Sequence, residues 1–66
     1  MENTSQTKLA RFIKNMGLKK KQFATRIGVS DSHLSRWLRG HVIPRRNVRM
    51  MIELITEGEV PADGWE

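Results

Sequence analysis

The chain has no cysteine, and that absence excludes two common ways of stabilising a small domain. Without cysteine there is neither a disulfide bond nor a thiolate metal site. A chain of 66 residues buries only a limited core, so oligomerisation is the remaining common aid to stability. The absence of cysteine also fits a reducing cytoplasm.

Long apolar runs are absent as well. No stretch approaches the ~18–20 apolar residues that a membrane span needs. Residues 1–6 are polar and lack the pattern of a signal peptide. We therefore expect a cytoplasmic protein without a membrane partner.

Acidic residues are scarce in the first three quarters of the chain. Residues 1–49 carry all 12 Lys and Arg against two acids, which gives a formal charge of +10. Residues 50–66 carry five acids and no Lys or Arg, which gives −5 and a total of +5. A basic region of this density suggests an anionic partner, most commonly nucleic acid. The alternative is a basic surface that serves only solubility.

The apolar spacing predicts four helices, over residues 7–16, 19–27, 31–39 and from Pro44 to about 57. The tail, 58–66, is expected to be irregular, with a short extended piece at 59–60 as a fifth element. The predicted fold is therefore all-α and compact, in one domain over 1–66. The apolar residues expected to face the core are Leu9, Phe12, Ile13, Met16, Phe23, Ala24, Ile27, Leu34, Trp37, Leu38, Val48, Met51, Ile52 and Ile55.

Two short helices meet across the turn Gly28-Val29-Ser30. A turn this tight makes the two axes cross steeply, so the second helix projects from the body. Its inner side is apolar, and its outer side carries hydroxyl, imidazole and guanidinium groups. A projecting helix of this length fits the major groove of B-DNA.

Residues 20–40 resemble the helix-turn-helix of the Cro/repressor (XRE-type) family of phage and bacterial transcription regulators. The resemblance implies a helix-turn-helix domain of the phage repressor type (about 20–39) that binds DNA. Two positions depart from the pattern: Lys20 and Asp31 stand where many members have Gln. The positions that match are Ala24, Gly28, Val29, Ser30, Leu34, Ser35, Trp37 and Gly40.

Four residues on the outer side of the third helix are candidate base contacts: Asp31, Ser32, His33 and Arg36. Arg36 lies in the middle of that side, and bidentate Arg to guanine is the commonest specific contact. The alternative for Arg36 is a phosphate clamp or a solvated side chain. Asp31 either accepts from cytosine N4 or only caps the helix.

Basic residues stand at the beginnings of the second and fourth helices, where the helix dipole disfavours cations. The placement makes sense if phosphates bind there, and the alternative is plain solubility. The candidate phosphate contacts are Lys19, Lys20, Lys21, Ser35, Arg39, His41, Arg45 and Arg46.

An enzyme is not indicated. The only histidines, His33 and His41, are eight residues apart and have no serine or carboxylate placed by spacing to work with them. A metal site needs more ligands. We expect neither a catalytic site nor a metal nor a cofactor.

One recognition helix reads only a few base pairs, so we expect a homodimer on an inverted-repeat operator. The expected interface is the acidic end, through Met50, Ile55, Val60 and Trp65, and the alternative is that Trp65 folds back on its own core. The expected function is a Cro-like phage or prophage repressor. The alternatives are an antitoxin or accessory module whose acidic tail binds a protein, or a binder of nucleic acid or membrane surfaces without sequence preference.

Overall fold

The computed structural model describes residues 4–65, and four helices make up its regular structure. They are α1 (Ser5–Asn15), α2 (Lys20–Ile27), α3 (Asp31–Leu38) and α4 (Arg46–Ile55). Helix α3 packs against both α1 and α2, and α4 packs against α2. The predicted all-α class is confirmed. The extended piece expected at 59–60 is not formed, because the chain bends there and residues 4–65 contain no strand.

The turn between α2 and α3 depends on Gly28, which has a left-handed φ of 75°. No atom lies within 4 Å of the position that a Cβ would take there. The glycine is therefore required by its backbone conformation and not by crowding. Ser30 then caps α3, accepting a hydrogen bond from the backbone N–H of His33 at 3.2 Å.

Helix α4 begins and ends at positions that differ from the prediction. Pro44 is buried ahead of the helix, and Arg45 is extended with ψ of 157°, so the helix starts at Arg46 and not at Pro44. At the other end, Glu57 already has a left-handed φ of 55°, one residue before Gly58. The helix consequently stops at Ile55.

The core lies between the four helices and the tail. Three residues predicted to face it are exposed instead: Met16 by 58%, Met51 by 44% and Ile55 by 37%. Met16 follows the last residue of α1. The α4 predictions were wrong because apolar residues at six of the positions 48–55 exceed what one ~100°-wide stripe can bury. The buried apolar residues are Leu9, Ile13, Phe23, Ala24, Ile27, Leu34, Trp37, Ile52, Val60 and Trp65.

The tail folds back on its own chain. Val60 is 0% exposed and Trp65 is 8% exposed, so the prediction that these two residues form a dimer surface was wrong. Their apolar side chains are covered within the same chain, which confirms the alternative for Trp65. Thr56 fixes the beginning of the tail, since its hydroxyl donates to the Ile52 carbonyl at 2.7 Å and accepts from the Val60 N–H at 3.1 Å.

Two further anchors hold the tail against α1 and α4. The Ser5 hydroxyl donates to the Pro61 carbonyl at 2.7 Å. Glu53 Oε1 accepts from the Ala62 N–H at 2.7 Å, and Arg49 Nη1 donates to the Ala62 carbonyl at 3.2 Å. The tail is thus irregular as expected, yet its backbone is tied to two helices. No helix within residues 4–65 is long and apolar enough to span a membrane.

Candidate nucleic-acid interface

Helix α3 is docked by its inner side. Leu34 and Trp37 are buried there, and Leu38 is half-buried against the same core. Burial of a large apolar side chain stabilises a fold by roughly 1.5–3 kcal/mol. This side therefore holds the helix in place without using any of its polar groups, as the spacing predicted.

The outer side of α3 brings the predicted base-contact residues together in solvent. Asp31, Ser32 and His33 occupy the first turn and are exposed. Arg36 is exposed one turn later, four residues after Ser32 and three after His33, so the three side chains share one side of the helix. The predicted phosphate contacts on α3 and just after it differ in exposure, since Ser35 is half-buried whereas Arg39 and His41 are exposed.

The imidazole of His33 lies nearly parallel to the Trp37 indole. Their ring centroids are 6.5 Å apart and the ring planes differ by 16°. Trp37 is fixed in the core, and the backbone N–H of His33 is bonded to Ser30. His33 therefore starts from a restricted position, which lowers the entropy lost when its ring makes an external contact.

The cations of this surface are unpaired among the residues that the structure describes. Arg36, Arg39, Arg45 and Arg46 make no ion pair and no hydrogen bond from their side chains within residues 4–65. Among the described residues, an external anion therefore has no internal one to displace. Charge-assisted bonds from guanidinium to phosphate or to guanine are among the strongest that a protein surface offers.

Helices α2 and α4 begin without a side-chain cap. Lys19 and Arg45 occupy the N-cap positions, and neither caps with its side chain, since Lys and Arg carry no acceptor. Helices α1 and α3 are instead capped by Thr4 and Ser30. The first N–H groups of α2 and α4 are thus left for an outside acceptor, next to exposed cations. Uncapped N–H groups with Lys or Arg beside them suit a phosphate. The cations at these two ends are Lys19, Lys20, Lys21, Arg45 and Arg46.

Two residues with a role at the surface of α2 or α4 were not predicted from the sequence. Gln22 Oε1 accepts from the Lys19 N–H at 2.8 Å and orders the beginning of α2. The signal was half of a capping box, with Gln at the third position and Lys in place of Ser or Thr. Leu54, on α4, is 79% exposed, and its signal was its spacing of four residues from Met50.

The two histidines are both exposed, one on α3 and the other in the loop that follows it. Within residues 4–65, no group of three His, Asp or Glu side chains is placed to hold a metal ion. The structure instead provides a row of exposed polar and cationic side chains on the outer side of α3, which make no hydrogen bond or ion pair within the part of the chain that the structure describes.

A model of the helix-turn-helix family matches residues 9–48, from the middle of α1 into α4. The match covers more than half of the chain and includes both helices of the motif. It describes a DNA-binding regulatory domain and not a catalytic one. No curated protein and no solved structure is a significant match. The chain belongs to the XRE-type helix-turn-helix family and is a DNA-binding transcription regulator.

Proposed function

We propose that the protein is a sequence-specific repressor of the Cro-like phage or prophage type, which binds an inverted-repeat operator as a homodimer. The observation that carries this proposal is the outer side of α3, where exposed polar and cationic side chains make no hydrogen bond or ion pair within residues 4–65. Eight helical residues span about 12 Å, and the major groove is ~12 Å wide. The protein acts on the nucleoid in the cytoplasm of a bacterial or phage-infected cell, and it needs no cofactor.

Base reading is assigned to the first two turns of α3. Arg36 donates both ends of its guanidinium to guanine O6 and N7. Ser32 and His33 contact base edges from the first turn, where the helix enters the groove. Asp31 accepts from cytosine N4 when that base is in reach, and otherwise serves the helix dipole.

Phosphate contacts hold the helix in register. The uncapped beginnings of α2 and α4 each bind a phosphate through backbone N–H groups and the cations beside them. Lys20 takes the place where many members of the Cro/repressor family have Gln and reaches a phosphate as a point charge. Ser35, Arg39 and His41 complete this set around the recognition helix.

Repression follows from occupancy. A regulator bound at an operator excludes polymerase or a competing regulator from the same DNA. One helix contacts too few base pairs to select a site in a genome, whereas two copies related by a two-fold axis read two half-sites one helical turn apart. The dimer surface retains Met50 and Ile55, which are exposed, and loses Val60 and Trp65.

A selection from random duplex DNA at ~150 mM salt tests this function. Enrichment of an inverted repeat with half-sites about 10 base pairs apart is expected. Enrichment of a single unrepeated half-site would contradict the dimer and keep the sequence-specific regulator. No enrichment would contradict both, and it would favour an accessory protein or a binder without sequence preference.

The antitoxin-like alternative relied on a tail that is free to capture a protein. The tail is tied to α1 and α4, and its two large apolar side chains are buried. A partner protein would first have to release those contacts. This arrangement speaks for DNA as the primary partner.

A further inference from the structure

The outer side of α4 is apolar and uncovered. Leu54 is 79% exposed and Met50 53%, and Met51 and Ile55 are exposed beside them. These four residues are more than half of the large apolar side chains exposed within residues 4–65. Single exposed apolar residues are common on monomers, but a contiguous group on one helix marks an interaction site.

The exposed residues of α4 form two parallel rows. Arg46, Met50 and Leu54 follow one another at intervals of four, and so do Asn47, Met51 and Ile55. Residues at this spacing lie above one another on a helix surface. A groove of about 880 Å³ runs along this side, and Asn47, Leu54 and Glu57 are among the residues that line it.

The charges along this side are opposite at its two ends. Arg46 lies in the first turn, where the helix dipole is already positive. Glu57 is exposed just beyond the last turn, at the negative end. A second copy of α4 laid antiparallel brings each positive end to a negative end, whereas a parallel copy opposes like ends. The surface is therefore complementary to itself under a two-fold axis.

We propose that α4 pairs antiparallel with α4 of a second copy, with Met50 opposite the second copy's Leu54 and Asn47 opposite its Glu57. This pairing deepens the proposed function, because it names the surface and the orientation of the homodimer. The apolar rows form the seam, and the charged ends set the direction. None of the residues that line the groove along α4 belongs to α3.

Introduced cysteines test the orientation without DNA, because the chain has none of its own. Asn47→Cys and Glu57→Cys proteins are mixed and oxidised, and the mixture should give a disulfide-linked heterodimer. The Asn47→Cys protein alone should not cross-link, because residue 47 lies five helical residues from the two-fold axis and is therefore about 15 Å from its own mate. A disulfide needs Cα atoms within about 7 Å. Cross-linking of Asn47→Cys with itself would overturn the antiparallel arrangement, and no cross-link in any mixture would overturn the pairing.

Leu54→Glu supplies an independent measurement, with Met16→Glu as its control. Met16 is also exposed, but it follows α1 and is not part of the apolar side of α4. The control therefore makes the same change of charge away from the proposed interface. Sedimentation of the DNA-free protein should show the dimer weakened at least ~30-fold by Leu54→Glu and little changed by Met16→Glu. Equal effects of the two changes, or no effect of Leu54→Glu, would overturn the proposal. A wild-type protein that is monomeric would also overturn the α4 pairing. It would not contradict DNA recognition, which the selection experiment tests separately.

Discussion

Helices α3 and α4 are alike in packing and opposite in what they leave uncovered. Each buries one side in the same core, α3 through Leu34 and Trp37 and α4 through Ile52. The outer side of α3 is polar and cationic, and that of α4 is mainly apolar. Packing in the core explains the apolar residues of the inner sides. The difference between the outer sides therefore indicates that the two helices bind different partners. One suits the edges of bases, and the other suits a second protein surface.

The largest effect on stability is expected from the inner, buried side, which α3 and α4 have in common. Leu34→Ala removes a fully buried side chain of α3, and it should lower the free energy of unfolding by about 2–5 kcal/mol. Ser32→Ala, on the outer side of the same helix, should change it by less than about 0.5 kcal/mol. Urea titrations of the two variants give the comparison. Similar losses would mean that the outer side also carries stability.

Arg36→Ala should separate DNA reading from folding and pairing. The change should cost roughly 1–3 kcal/mol of discrimination at one base position. Binding measured against single-base variants of the operator reports that loss. Arg26→Ala, an exposed Arg on α2, controls for the loss of one positive charge. If Arg36→Ala weakens all sequences equally, Arg36 is a phosphate clamp and not a base contact.

Lys19→Ser tests whether the uncapped beginning of α2 serves DNA binding at the expense of stability. Serine completes the capping box with Gln22, which already accepts from the N–H of residue 19, and it should raise the free energy of unfolding by about 0.5–1 kcal/mol. The same change removes a phosphate contact and weakens DNA binding. Lys21→Ser loses the same charge without gaining a cap, so it should not stabilise the fold. A Lys19→Ser protein that is more stable and binds DNA as well as wild type would remove Lys19 from the interface.

The smallest effect is expected at Lys20. Lys20→Ala should weaken binding to all sequences alike and reduce the slope of log K against log salt by about one unit. Affinities measured at several salt concentrations on an operator and on an unrelated duplex give that slope. An unchanged slope would show that Lys20 is merely solvated.

Local signals were enough to predict the motif and most of the core. Gly28, Ser30 and the spacing of Leu34 and Trp37 each act within a few residues, and the structure has all of them in their predicted roles. The side of α3 that faces solvent could be predicted for the same reason. Periodicity alone fixes it once the inner side is known.

The C-terminal part could not be predicted as well, because its structure depends on contacts distant in sequence. Val60 and Trp65 are buried through a tail held by Ser5 from the other end of the chain and by Arg49 and Glu53 of α4. Apolar residues at most positions of α4 fit either a core or an interface. Only the packing of the tail and α2 against α4 decides which of them remain exposed.

The ratio of the affinities for a specific and an unrelated duplex tests most directly whether α3 reads a base sequence. The dissociation constants of the wild-type protein for its selected operator and for a scrambled duplex are measured at ~150 mM salt. If the outer side of α3 reads bases, the operator should bind at least ~10³-fold more tightly. A ratio near one, with the same steep salt dependence on both duplexes, would contradict sequence recognition and leave only attraction to phosphate.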